Sequence, residues 1–153
     1  MPTVETVDET SRFPLTEELT RALTALMSDS GLEDDEFTVI LVDDATIASM
    51  NERDRGVTGP TDVLSYPAHE PTDVGFPQVP HLGDVFISLD TAARQAADAG
   101  HTLELEVVTL AAHGLTHLRG LDHQTPDEWA PFEAAQELAR RLLADLDPRE
   151  MTP

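Results

Sequence analysis

Residues 113–123 read His113-Gly-Leu-Thr-His117-Leu-Arg-Gly120-Leu-Asp122-His123, and the rest of the chain is best read outward from them. Residues four apart in an α-helix share one face, so a helix here points His113 and His117 the same way. Gly120 is free to take the left-handed conformation that ends a helix and turns the chain back. His123, three residues on, then reaches the open side of an ion shared by the first two imidazoles. Three neutral imidazoles leave a fourth position for water, the arrangement of a catalytic rather than a structural zinc. An ion so held lowers the pKa of its water toward ~7. The expectation is one divalent ion per chain, zinc, bound by His113, His117 and His123 and suited to hydrolysis. His69, His81 and His101 lack such spacing and read as loop or surface residues.

The same stretch excludes a peptidase of the metzincin kind. Those enzymes place a glutamate directly after the first histidine as general base, and here that place belongs to Gly114. A glutamate introduced at 114 is expected to bring negative charge to where a substrate approaches.

Hydrophobic spacing sets the elements around this segment. Leu15, Leu19, Leu23 and Leu26 predict a helix over residues 15–28, with Thr16 as cap and Gly31 as stop. Residues 37–42 (FTVILV) read as a buried strand. Asp44 is expected to cap a helix carrying Ile47, Met50 and Asn51 and ending near Gly56. Residues 63–66 and 85–88 read as two further strands. Between them, residues 70–80 hold Pro71, Pro77 and Pro80 and form a loop of the length that often carries function. Asp90 is expected to cap an alanine-rich helix ending near Gly100. Thr102 caps the helix that bears the histidines and stops at Gly120. Thr125, Pro126, Asp127 and Glu128 form a capping box for a last helix, and the tail after Pro148 is expected to fray. Helices crowd toward the C-terminus, which favours an α+β or mixed α/β single domain spanning residues 1–153.

Composition adds limits. Cysteine is absent from the 153 residues, which removes disulfides and thiolate metal sites. The first residues are polar and acidic and no apolar run approaches the ~18 residues of a membrane helix, so the reading is a cytoplasmic protein without a membrane partner. Nine basic residues, all arginine, face thirty acidic ones, for a net charge of −21. Such a surface suits either high salt or a cationic partner.

With these residues in view, the chain resembles the YbeY family of bacterial endoribonucleases, whose signature is H-G-x-L-H-L-x-G-Y-D-H. Residues 51–66 (NERDRGVTGPTDVLSY) are similar to the family's N-x-x-x-R-G stretch followed by P-T-D-V-L-S-F. Residues 82–88 (LGDVFIS) are similar to its L-G-D-I-x-I-S strand. Thr116 departs from a leucine, Leu121 from a tyrosine and Tyr66 from a phenylalanine. The resemblance covers residues from about Phe37 to the end of the last helix. It implies a zincin-like α+β fold with a mixed sheet packed with helices. It further implies a single-strand-preferring endoribonuclease in 3′-end maturation of small-subunit ribosomal RNA and ribosome quality control. Its partners would be ribosomal RNA and the small subunit with its basic proteins. Carried over by position, His113, His117 and His123 are the metal ligands and Arg55 is the catalytic arginine.

Arg55 suits the chemistry, since phosphodiester cleavage needs a cation for charge developing on phosphoryl oxygens. Arg53, Arg94 and Arg119 are expected to join it at the cleft mouth. Asp84 and Asp122 are candidates for holding a ligand imidazole from behind, and each reads equally as a turn or capping residue. Two rivals stand beside the nuclease: a metallohydrolase of another small substrate, and a ribosome-assembly binding module stabilised by zinc.

The charge yields a first prediction. Salt shortens the Debye length to ~3 Å at 1 M, so raising ionic strength should relieve self-repulsion. The thermal midpoint, followed by circular dichroism at constant metal, should climb from low to high salt. A midpoint that falls steadily would show that acidic repulsion is not the dominant electrostatic effect.

Overall fold

The expected strand at residues 37–42 proves to be the inner strand on which the sheet is built. The computed structural model describes residues 1–68 and 80–147. His69, nearly all of the expected loop at 70–80 and the tail after residue 147 lie outside the described residues. In chain order the elements are β1 (Thr3–Asp8), α1 (Thr16–Asp29), β2 (Glu36–Val42), α2 (Asp44–Arg55), β3 (Val63–Pro67), β4 (His81–Ser88), α3 (Leu89–Ala99), α4 (Leu103–Leu118) and α5 (Trp129–Leu146). A short 3₁₀ turn, Pro126–Glu128, leads into α5. The four strands lie in the order β1-β2-β4-β3. β1, β2 and β4 run parallel and β3 is antiparallel to β4. A mixed sheet packed with helices is the α+β architecture expected.

Alternation along the strands divides the core in two. Phe37, Val39 and Leu41 of β2 join Val85 and Ile87 of β4 in the larger cluster, with Leu19, Leu23 and Leu26 of α1 and Val107, Ala111 and Leu115 of α4. Ile40 and Val42 face the other way and pack with Ile47 and Met50 of α2 and Leu64 of β3. Helix α2 therefore covers one face of the sheet, while α1, α4 and α5 crowd the other.

Several local expectations shift. β1, TVETVD, was not anticipated: its alternating residues are only half-buried, so it carries little of the apolar signal that marks a strand. Thr16 does not cap α1, whose N-cap Leu15 has no side-chain bond. Asp43, not Asp44, caps α2 by accepting from the Thr46 N–H at 2.8 Å. Ser88, not Asp90, caps α3. The displaced aspartates tie the two helix starts together. Asp44 accepts from the hydroxyls of Ser88 at 2.6 Å and Thr91 at 2.7 Å and pairs with Arg94 at 2.9 Å. Asp90 accepts from the Asp44 N–H and from Arg12, each at 2.9 Å. Thr102 caps α4 as expected, accepting from the Leu105 N–H. Gly56 and Gly100 end α2 and α3 in the left-handed conformation.

Gly114 lies on the face of α4 turned to the sheet, and this corrects the expectation of charge at the substrate. A β-carbon there would lie 2.7 and 2.8 Å from the two Val85 methyls and 3.0 Å from Ser65 Oγ. Glutamate at 114 would therefore force α4 off β4 before it could approach any substrate. The smaller change is the cleaner test. Gly114→Ala gains ~1 kcal/mol of helix propensity, but overpacking of a tight core costs typically ~1–3 kcal/mol. Chemical denaturation of metal-free protein should show a net loss of about 1 kcal/mol, smaller in a Val85→Ala background. Unchanged stability would mean that the helix has room to spare.

Candidate metal centre

The first two imidazoles converge because they stand four positions apart on α4, and the third because the chain reverses after the helix. Gly120, at φ +87°, donates its N–H to the His117 carbonyl at 2.9 Å and turns the chain. The ligand-capable nitrogens of His113, His117 and His123 then lie within 4.8 Å of one another. Among the described residues this is the one such group of metal-binding side chains.

The hydrogen bonds behind the rings prepare them for a cation. His117 Nδ1 lies 3.2 Å from the Leu121 carbonyl, which can only accept, so the proton sits on Nδ1 and Nε2 presents a bare lone pair. That Nε2 is 3.2 Å from His113 Nε2. His113 Nδ1 in turn lies 3.1 Å from the side-chain nitrogen of Gln136, which donates to it and fixes the orientation of the ring. Burial first, and then the neighbouring His117 and His123, push His113 down to about 4. Burial also pushes His117 down, against the upward pull of the Leu121 carbonyl. Neutral imidazoles are the form that binds a metal, and the donor set fits a divalent ion.

Helix α5 backs the site with residues at helical spacing: Trp129, Phe132 and Gln136. The fully buried Phe132 ring sits 4.9, 4.8 and 4.9 Å from the ring centres of His113, His117 and His123. Trp129 stacks on His123 at 4.0 Å and 21°. None of these was singled out from the sequence. A helical stripe of this kind ordinarily reads as core, and only folding shows that it faces the histidines.

A cavity of about 460 Å³ opens beside the imidazoles, and Arg55, Asp62, Ser65, His113 and His117 are among the residues that line it. Arg55 is exposed at the end of α2 and has no hydrogen-bond or ion-pair partner among the described residues. The other arginines expected there are elsewhere. Arg53 makes a two-pronged bond to Asp54 at 2.7 Å, Arg94 is held by Asp44, and Arg119 lines a different cavity with Leu26 and Pro131. Carboxylates hold the first two of these cations where they are. Tyr66, where the family pattern has phenylalanine, donates its hydroxyl to Asp54 at 2.7 Å. Bonds from Arg53 and then Tyr66 hold Asp54 at about 2, while burial and then Asp54 push Tyr66 up to about 12.

The aspartates considered for holding a ligand ring from behind neither do so nor cap a helix: Asp84 lies within β4, and Asp122 lies between α4 and the 3₁₀ turn. Asp84 pairs with His81 at 3.0 Å, and Asp122 accepts from the His123 N–H at 2.7 Å and from Gln124. Neither contacts a ring of the cluster. His81 opens β4 rather than lying in a loop, and His101 bonds Glu106 at 2.6 Å. Asp62, which the sequence reading passed over, accepts from the Val63 N–H and from Gln95 beside the cavity. A second cavity of about 460 Å³ sits by Arg12, Asp43 and Asp90, with Arg12 already paired to Asp90.

Comparison with known proteins agrees with this architecture. The family model described as Endoribonuclease YbeY matches residues 3–144. The Endoribonuclease YbeY of Thermus thermophilus is 50% identical over 126 residues, covering 82% of this chain and 87% of the relative. That of Deinococcus radiodurans is 44% identical over 136 residues, covering 82% and 86%. The solution structure of a Thermotoga maritima protein superposes with a TM-score of 0.66 at 25% identity, covering 95% of this chain and 91% of that one.

If three imidazoles make the cage, removing one from the middle should empty it. Elemental analysis of metal-replete protein should give one divalent ion per chain, and His117→Ala should retain little of it. Full occupancy in that variant would remove His117 from the ligand set.

Proposed function

Because the chain belongs to the YbeY family, we propose that it is a zinc-dependent endoribonuclease cutting single-stranded RNA, with small-subunit ribosomal RNA as its substrate near the 3′ end. The observation that carries this reading is the opening of His113 and His117, two of the three grouped imidazoles, onto one cavity with Arg55, which has no partner among the described residues. His113, His117 and His123 would hold the ion, leaving one position open. When bound, the ion supplies Lewis-acid charge and an acidified water.

The remaining work falls to the chain's own residues. Arg55 offers a planar, two-pronged donor to the phosphoryl oxygens as their charge develops. Among the described residues no ion pair of Arg55 has to break when phosphate arrives. The Leu121 carbonyl holds the His117 tautomer, Gln136 steadies the His113 ring, and Phe132 keeps water from the back of the cage. Place of action follows from the substrate: the cytoplasm, with the small ribosomal subunit and its basic proteins as partners for so acidic a surface. No helix of the described residues is long and apolar enough to cross a membrane.

Arg55 gives the discriminating test. Zinc-matched wild type, Arg55→Ala and Arg55→Lys are compared in single-turnover cleavage of a single-stranded RNA. Alanine should keep the metal and stay within about 0.5 kcal/mol in stability, as exposed substitutions usually do. Its cleavage should fall by roughly two to three orders of magnitude, and lysine should restore only part. Equal rates for all three would make Arg55 an ordinary surface residue. Chelator-sensitive hydrolysis of other substrates without RNA cleavage would favour the general metallohydrolase, and no hydrolysis at all the binding module.

A further inference from the structure

A smaller cavity of about 280 Å³ lies on the other side of His113 from Arg55. It shares Asp62, Val63 and His113 with the Arg55 cavity, so the two adjoin at these residues. Their chemistry differs. Arg55 lines one side, whereas among the described residues the smaller cavity is lined by Asp62 and Glu106 and by no arginine. A phosphate is repelled there and a neutral ring is not. At its edge stands Trp129, 37% exposed, with its plane held by the stack on His123. Gln95 gives its amide N–H to Asp62, which leaves its oxygen as an acceptor toward the cavity.

We propose that this cavity is a nucleobase subsite, taking the base beside the scissile phosphate by stacking on Trp129. Resting on the nuclease reading, it adds a division of labour in which Arg55 takes the phosphate and Trp129 the base. Every base has a face to stack, but the lining here is rich in acceptors: the Gln95 oxygen and the carboxylates of Asp62 and Glu106. Bases with an exocyclic amino group, adenine among them, offer the matching donor, whereas uracil presents two carbonyl oxygens and only a ring N–H between them. The subsite therefore prefers adenine over uracil.

Trp129 is the single tryptophan of the chain, so its fluorescence reports directly on the site. Zinc-loaded protein is titrated with hexadeoxyadenylate, hexadeoxyuridylate and an abasic strand of equal length and charge. Fluorescein-labelled strands give affinities by anisotropy for variants that lack the indole. Hexadeoxyadenylate should quench Trp129 and bind at least about fivefold more tightly than the abasic strand. Trp129→Ala, checked for equal zinc, should weaken hexadeoxyadenylate by about tenfold and leave the abasic strand unchanged. Trp129→Phe should keep most of the affinity, and Gln95→Leu should narrow the gap between adenine and uracil strands. Binding without quenching, or equal weakening of adenine and abasic strands by Trp129→Ala, would overturn the subsite while RNA cleavage by the wild type still upheld the nuclease. Wild type that neither cleaves RNA nor binds any strand would overturn both.

Discussion

Helix α4 lies so close to β4 that position 114 has no room for a β-carbon, and the site depends on that contact. The imidazoles at 113 and 117 leave the helix beside the face that Gly114 presses onto Val85 and Ser65. Their height above β3 is therefore set by a van der Waals limit rather than by a flexible side chain. The cavity between Ser65 and the rings exists because the helix can approach no further and is backed, on its far side, by α5. Close packing of this sort has few alternative arrangements, which suits a cage that must hold a ligand geometry.

Electrostatics then concentrates a small positive resource. The chain has nine arginines against thirty acidic residues, and several are spent on carboxylates close by: Arg12 on Asp90, Arg53 on Asp54, Arg94 on Asp44. Pairing of exposed charges contributes little stability, but it silences those cations toward an anion. Among the described residues, Arg55 is the arginine that lines the main cavity beside the imidazoles. An anionic substrate then meets attraction at one point and repulsion over much of the surface, which favours register over bulk affinity.

Much of this was legible in the sequence. The histidine spacing needed only the helical repeat and one glycine, and strands β2, β3 and β4 announced themselves by apolar runs. Failures were local and physical. β1 is an edge strand with half-buried, largely polar residues, so no hydrophobic pattern marks it. Asp44 and Asp90 are good capping residues, yet Asp43 and Ser88 stand before them and take the caps, freeing the later carboxylates to bridge α2 and α3. Phe132, Trp129 and Gln136 stay hidden because their meaning arises only when α5 packs beside α4. The gathering of arginines failed in part because carboxylates hold two of them where the fold places them, Asp54 holding Arg53 and Asp44 holding Arg94. Tyr66, noted only as a departure from phenylalanine, became intelligible once Asp54 was placed opposite its hydroxyl.

That hydroxyl gives α2 the mechanics of a strut pinned at both ends. Its start is stitched to α3 through Asp44 and Asp90, and its finish is clasped to β3 through Asp54 and Tyr66. Twelve residues span about 18 Å at the usual rise per residue, so a tilt of a few degrees about the first pin alone would swing the far tip by about 1 Å. Displacements of that size can change a rate by about a hundredfold. The second pin sits one residue from Arg55 and removes that freedom. With phenylalanine at 66 the strut would become a cantilever, and the guanidinium would be aimed from a distant hinge.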